Sequence, residues 1–225
     1  MLSIIIADSE LELVPRKLAN YPLIKKLAKR KGKKPWEMIL DSSKHHPVMK
    51  GLKGWRRRGR PDIIHICLLN ALDMPLCREG LLKIYVHTRH NKVVYINPNA
   101  RLPRNYDRFI GLFEQLFKEG RVPPNAKEPL LEIKNGSLND LIKEINPEIV
   151  LVFSENGGKI DLCGFFRENK DKHILAIIGG FPHGDYISNV YSEADRIVKI
   201  YNNTLCAWTV LNLVISAYTL ALRIV

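Results

Sequence analysis

The strongest constraint on the fold is an alternation of short apolar runs and helical stretches in the second half of the chain. Strands are predicted at residues 130–133, 149–153, 174–178 and 197–200, and helices at residues 138–145 and in the C-terminal segment. A strand that returns through a helix pairs parallel with the strand before it, and the helices then cover both faces of the sheet. The pattern therefore predicts an α/β fold with a mostly parallel sheet.

The first half adds further elements. Strands are predicted at residues 3–7, 82–87 and 93–96, and helices at residues 63–72 and 106–117. The first of these runs is β-branched, which is typical of a buried strand. The second and third flank a polar turn and predict a β-hairpin insertion. Pro61 suits the first turn of the helix that follows it.

The positive charge is concentrated in one segment. Residues 13–60 contain 16 Lys and Arg side chains but only two acidic ones, Glu37 and Asp41, whereas residues 61–225 carry a net charge of +1. A nearly neutral body with a strongly cationic segment is typical of proteins that bind polyanions. A solubilising surface is the plain alternative, but such surfaces usually mix charge signs. We interpret residues 13–59 as a basic extension or insertion of a nucleic-acid-binding protein.

The C-terminal segment, residues 205–225, contains one charge in 21 residues and meets the length rule for a membrane span. An apolar helix can equally be buried in a core or in an oligomer interface, and we favour that interpretation. The chain shows no signal peptide, and its four cysteines form neither a CxxC pair nor a set with His at metal-binding spacing. We therefore expect a cytoplasmic protein with reduced thiols, no metal and no membrane anchor.

A glycine-rich loop at residues 179–185 follows the apolar strand that ends at Ile178. Glycines allow positive φ and a close approach of backbone N–H groups to a ligand, and ligands of open α/β sheets bind beyond the carboxyl ends of strands. The loop matches neither the nucleotide P-loop nor the dinucleotide GxGxxG pattern. A second loop, residues 200–205, follows the next strand, where its Asn and Thr residues also suit a helix cap. Together the two loops could line one pocket.

Three arginines, Arg101, Arg104 and Arg108, are spaced to project near one another at the start of a predicted helix. Guanidinium groups match phosphates bidentately. A second arginine source, the WRRRGR sequence at residues 55–60, places a stacking Trp beside its cations. A solvated surface is the alternative, but the two sources together favour an RNA contact.

Two aspartates flank the first long helix. Asp62 could orient Arg60 or favour the helix dipole. Asp73, just before Met74 and a proline, is either a turn residue or a polar group that faces a site. The sequence leaves both pairs of alternatives open.

Five motifs carry a resemblance to a known family. They are RPDIIHICLLNALDMPL (60–76), KIYVHT (83–88), INPNARLPRNYDRF (96–109), IGGFPHG (178–184) and IYNNTLCA (200–207). Together they resemble the archaeal and eukaryotic ribosome-biogenesis family of pseudouridine N1-specific rRNA methyltransferases. The match covers residues 60–225, and the basic part matches only loosely. The resemblance implies a single SPOUT-type, trefoil-knotted domain over residues 1–225, with its cofactor-binding knot at about 149–225, that forms a homodimer.

The resemblance also assigns site residues. The S-adenosylmethionine-binding residues are expected to be Gly179, Gly180, Gly184, Ile200, Tyr201, Asn202, Asn203, Thr204 and Leu205. The residues expected to contact rRNA are Arg60, Arg101, Arg104 and Arg108, with Asp62 orienting Arg60. Asp73 corresponds to an aspartate near the target base and is the candidate general base. Met74 departs from the family, because small polar residues are common at its position.

The implied function is S-adenosylmethionine-dependent methylation of N1 of a pseudouridine in small-subunit ribosomal RNA, in support of ribosome biogenesis. The alternative is a non-catalytic assembly factor that holds pre-rRNA and has a vestigial cofactor pocket. A membrane-tethered protein is a third hypothesis, and it depends on the C-terminal segment alone.

Overall fold

The computed structural model describes residues 1–225 and contains one eight-stranded sheet. The strands are β1 (Leu2–Ser9), β2 (Leu82–Thr88), β3 (Lys92–Ile96), β4 (Arg121–Val122), β5 (Leu131–Asn135), β6 (Ile149–Lys159), β7 (Ile174–Gly179) and β8 (Arg196–Lys199). Their order across the sheet is β4-β5-β3-β2-β1-β7-β6-β8. Five neighbouring strands of the sheet pair parallel, in the spatial order β2, β1, β7, β6 and β8. The other three strands, β3, β5 and β4, extend the sheet beyond β2 through antiparallel pairs. The expected mostly parallel sheet is confirmed.

Eight α-helices accompany this sheet. They are α1 (Pro22–Lys31), α2 (Ser42–Met49), α3 (Pro61–Asp73), α4 (Pro75–Arg78), α5 (Tyr106–Glu119), α6 (Leu138–Ile145), α7 (Leu162–Glu168) and α8 (Ala207–Ala221). Every residue of β1 is buried because helices cover both faces of the sheet. Its side chains Leu2, Ile4 and Ile6 pack in a core with α3, α5, α7 and α8. Ile5 and Ala7 point to the opposite face and pack in a second core with α6, as the two-residue period of a strand requires.

The expected hairpin insertion needs a correction. β2 and β3 do form an antiparallel pair, but β2 also pairs parallel with β1, so that Leu2 lies opposite Leu82. The hairpin is therefore part of the main sheet, because α3 and α4 form the crossover that returns the chain beside β1. β5 was grouped with the parallel strands, yet it pairs antiparallel with β3 and β4. No helix separates it from β4.

The basic segment, residues 13–59, is a packed lobe rather than an extended arm. We call it the basic lobe. Its own core consists of Val14, Leu18, Ile24, Ala28, Met38, Leu40, Met49 and Leu52. The lobe is joined to α5 through Glu114, whose buried carboxylate accepts hydrogen bonds from Lys31 at 2.9 Å and Lys33 at 2.7 Å. Burial also lowers the pKa of His45 to about 4, so this lobe residue is neutral and accepts from the Asp41 N–H.

The C-terminal helix packs within the fold. α8 lies against α3 and α7, and it buries Leu211, Val214, Ile215 and Tyr218. Its 15 residues span about 22 Å, less than the roughly 30 Å of a bilayer core. None of the helices combines the length and the apolarity that a membrane crossing requires. The buried-helix interpretation therefore accounts for this segment.

Candidate active site

A pocket of about 570 Å³ opens at the carboxyl ends of the neighbouring strands β7, β6 and β8. Three loops and the first turns of α8 line it. The loop residues lie at 153–156, 178–186 and 198–205. Its walls combine aromatic and aliphatic side chains such as Phe153, Phe181 and Leu205 with polar groups such as Asn203. This volume and mixture are typical of a small-molecule site at the edge of a parallel sheet.

Seven of the nine residues expected to bind cofactor line this pocket. They are Gly179, Gly184, Ile200, Tyr201, Asn203, Thr204 and Leu205. Asn202 is exposed and lies outside the lining. Gly180 faces β1 instead, where its N–H donates to the Ala7 carbonyl at 2.7 Å. A Cβ at Gly180 would come within 2.3 Å of the Ser9 Oγ, so contact between strands explains this glycine.

The third loop is a bulge within β6, and the sequence motifs did not indicate it. Pairing between β6 and β8 is interrupted between Phe153 and Gly158, and residues 153–156 contribute to the pocket wall. Gly157 allows this close passage, because a Cβ there would lie 2.5 Å from the backbone of Val198. Paired glycines at the end of an apolar strand are a recognised signal of a bulge, and they could have indicated this loop.

A buried carboxylate holds the chain that follows the C-terminal end of the glycine-rich loop. Asp8, at the end of β1, accepts hydrogen bonds from the N–H of Ile187 at 2.6 Å, from the N–H of Ser188 at 2.9 Å and from the Ser188 hydroxyl at 2.7 Å. Asp8 has a positive φ of 49°, a conformation that Asp tolerates better than most residues. The end of β1 therefore holds the chain just beyond the pocket in place.

Tyr186 joins two of the pocket loops. Its hydroxyl donates to the Phe153 carbonyl at 2.8 Å and lies 3.2 Å from that of Ile177. Burial raises the pKa of Tyr186 well above its usual value, so it stays a neutral donor. The pocket walls are thus held by hydrogen bonds within the protein.

The structure brings Arg60 and Asp62 together. The Arg60 guanidinium donates twice to the Asp62 carboxylate, from Nε at 2.9 Å and from the terminal nitrogen at 2.7 Å. These bonds raise the pKa of Arg60. Arg60 precedes α3 and its N–H donates to the Glu10 carbonyl just beyond β1, which places it at the pocket edge of the sheet.

The segment that carries the other three arginines is joined to α3. The ring of His65, on α3, is 2.9 Å from the Pro103 carbonyl and therefore joins α3 to the chain that enters α5. Arg101, Arg104 and Arg108 are all exposed on that entrance. Arg108 is the third residue of α5, where the helix dipole disfavours a cation. An anionic ligand at this point would account for an arginine there.

Asp73 and Met74 lie away from the pocket within one chain, at the opposite end of α3 from Arg60. α3 runs away from the pocket edge, and its 13 residues span about 20 Å. Asp73 lies at its far end, is 75% exposed and pairs with Arg78 at 2.9 Å. Met74 packs partly against the core. No cluster of three His, Cys, Asp or Glu side chains that could hold a metal ion occurs in the structure.

A mostly parallel sheet with a loop-lined pocket at its carboxyl edge agrees with a SPOUT-type methyltransferase, the class that the sequence motifs imply. Comparison with known proteins agrees with this class. The chain belongs to the EMG1/NEP1 methyltransferase family, whose model matches residues 4–219. The resemblance seen in the sequence motifs is confirmed.

Individual relatives match along nearly their whole length. The ribosomal RNA small subunit methyltransferase Nep1 of Thermococcus sibiricus is 49% identical over 219 residues, with 97% of each chain covered. The enzyme of the same name from Pyrococcus furiosus is 48% identical over 225 residues, with 96% of each chain covered. The crystal structure of Archaeoglobus fulgidus Nep1 bound to S-adenosylhomocysteine superposes with a TM-score of 0.87, at 35% identity over 98% of both chains.

Proposed function

We propose that this protein transfers a methyl group from S-adenosylmethionine to N1 of a pseudouridine in small-subunit ribosomal RNA. Membership of the EMG1/NEP1 methyltransferase family is the observation that carries this proposal. It is supported by relatives named as small-subunit rRNA methyltransferases and by a structural neighbour that binds S-adenosylhomocysteine, the demethylated form of the cofactor. Cytoplasmic location, in the compartment of the ribosome, is part of the same proposal.

The residues of the pocket fit this cofactor. Aromatic and aliphatic walls at Phe153, Phe181 and Leu205 suit a purine ring, while Asn203 and Thr204 offer polar contacts for the ribose and the amino acid part. Bound there, the cofactor would supply an already activated methyl on its sulfonium. The task of the protein is then to align the accepting nitrogen, the methyl and the sulfur in line.

The four arginines would position the RNA relative to the cofactor. We assign phosphate and base contacts to Arg60, Arg101, Arg104 and Arg108, with Asp62 fixing the plane of the Arg60 guanidinium. Arg60 lies at the carboxyl edge of the sheet, the edge at which the pocket also opens, so RNA held by it would present a base on the pocket side. An unstacked base of a hairpin loop suits this arrangement. A role for Asp73 in removing the N1 proton would require its approach from a second subunit.

A methyl-transfer assay on matched RNA hairpins tests the proposal. Pseudouridine is joined to its ribose through carbon, so its N1 carries a hydrogen and is free to accept a methyl, whereas N1 of uridine is bonded to the ribose. We expect transfer of labelled methyl to the pseudouridine hairpin and none to the uridine hairpin. RNA binding without any turnover would instead support the non-catalytic assembly factor.

We further propose that the protein is a homodimer and that its chain end is threaded through a loop, which forms a knot at about residues 149–225. α8 exposes an apolar stripe, with Leu213 at 42% and Leu220 at 56% exposure, that a second copy would cover. Leu213→Lys should therefore cause insolubility or a shift toward monomer, because it places an unpaired charge in the interface. Light scattering measures the mass.

Gln115→Lys is the matched control, since it adds the same charge at an exposed helix position outside that stripe. It should leave the mass unchanged. A monodisperse wild-type monomer would refute the dimer.

A further inference from the structure

We propose that Arg57, in the basic lobe, is a positioning residue for the cofactor pocket, which it stabilises from outside. The inference rests on the proposed function only in taking this pocket as the S-adenosylmethionine site. Arg57 does not line the pocket itself. It acts through two residues that do, Phe181 and Asp185.

The contacts of Arg57 with the pocket loop are direct. Its guanidinium carbon lies 3.9 Å from the centre of the Phe181 ring, a cation–π distance. One terminal nitrogen donates to the backbone carbonyl of Asp185. Phe181 and Asp185 both face the ligand space. The guanidinium therefore fixes the plane of one pocket wall and the path of the backbone four residues later.

A buried carboxylate holds Arg57 in place. Glu10, fully buried just beyond β1, accepts from the Arg57 Nε at 2.6 Å and from Arg89 at 2.6 Å. The Arg57 side chain is itself only 14% exposed. Its other terminal nitrogen is buried without a hydrogen-bond partner. The bond to Glu10, the bond to the Asp185 carbonyl and the stacking on Phe181 together hold the guanidinium in this position.

A neighbouring contact extends the same support. His183 in the pocket loop lies 3.2 Å from the backbone carbonyl of Arg56. The position that a Cβ of Gly184 would take is 3.6 Å from Arg57. Residues 56 and 57 therefore run alongside the loop from Phe181 to Asp185, so the loop cannot swing outward without breaking these contacts. When a site is intact in only a fraction of molecules, its apparent affinity falls by that fraction.

Arginine is required here because one planar group makes all three contacts. A lysine could remain opposite Glu10, but its ammonium cannot stack on Phe181 and also donate to both Glu10 and Asp185. Loss of Arg57 should therefore lower the affinity for the cofactor and leave the rate of methyl transfer unchanged.

The test measures S-adenosylhomocysteine binding by calorimetry, without RNA, in the full chain. Arg57→Met should weaken binding about tenfold, the effect of one desolvated cation–π contact, and Arg57→Lys about threefold. In steady-state assays the KM for S-adenosylmethionine should rise while kcat at saturating cofactor stays unchanged. A residue that only stabilised the fold would lower the melting temperature without changing the affinity of the folded protein.

Arg56→Met is the matched control, because it removes a neighbouring exposed cation and leaves the Arg56 carbonyl in place. Its cofactor affinity should equal that of wild type. Unchanged affinity in folded Arg57→Met, or an equal loss in Arg56→Met, overturns the inference. If Arg57→Met does not fold, Arg57→Lys decides, since it keeps a cation opposite Glu10. Wild-type protein that binds no S-adenosylhomocysteine would contradict the proposed function as well, whereas normal binding by both Arg57 variants contradicts this inference alone.

Discussion

Replacing Gly184 with Val should weaken S-adenosylmethionine binding roughly a hundredfold in a protein that remains folded. Gly184 has a φ of +87°, a region that β-branched residues avoid. A Cβ itself would be accommodated, since its nearest neighbour is 3.6 Å away. The unfavourable φ angle, and not a steric clash, therefore forces the loop to change its path. Backbone strain of about 1–3 kcal/mol, together with a displaced pocket wall, corresponds to roughly a hundredfold loss of affinity.

Calorimetry with the cofactor measures this loss, and circular dichroism confirms the fold. Gly111→Val is the matched control, because Gly111 lies in α5 with ordinary φ and open space around its Cβ position. It should bind cofactor as wild type does. Unchanged affinity in Gly184→Val would place the cofactor elsewhere.

Removing any one of Arg60, Arg101 or Arg104 should weaken RNA binding and flatten its salt dependence. Each phosphate contact to single-stranded nucleic acid contributes a slope of about −0.7 in log affinity against log salt. An alanine variant should lose roughly this amount per contact, and its affinity should fall roughly tenfold. Asp62→Ala should have a milder form of the Arg60→Ala effect, because it frees the guanidinium that it now holds. Cofactor affinity should stay near that of wild type in all four variants.

The two ends of α3 provide an internal control for this experiment. Arg60 pairs with Asp62 at the pocket end, and Arg78 pairs with Asp73 at the far end. Arg78→Ala should leave the RNA affinity and its salt slope unchanged. If the Arg60, Arg101 and Arg104 variants bind RNA normally while substitutions at residues 56–58 abolish binding, the assignment is wrong and the basic lobe reads the RNA.

The sequence predicted those strands and helices whose pattern depends only on residues close to one another in the chain. β-branched runs and helical spacing identify β1, β7, α3 and α5 within a few residues of their observed bounds. The partners of a strand depend on distant residues. A polar turn links β2 to β3 and shows up in the sequence, but nothing local indicates that β2 also pairs with β1.

The same limit applies to the site. Gly179 and Gly180 are neighbours in one motif, yet only Gly179 lines the pocket, because Gly180 is pressed against Ser9 in another strand. The supporting role of Arg57 depends on Glu10 and Phe181, which are far from it in sequence. In the basic lobe, the abundance of cations obscured the apolar residues that form its core. The motifs thus indicated two of the loops at the pocket, and the packing of distant segments determined which of their residues line it.

The central position of β1 has a consequence for how the molecule assembles. Leu2 pairs with Leu82 on one side and with Ile174 on the other, so β1 precedes both of its neighbours along the chain by long stretches of sequence. Ribosomes add about 5–20 residues per second, so this apolar strand waits roughly ten to thirty seconds for its second neighbour. Such distant pairings fold slowly. Until β7 emerges, one open strand edge remains able to recruit other chains. A nascent chain interrupted before β7 therefore yields an aggregation-prone fragment rather than a smaller working protein.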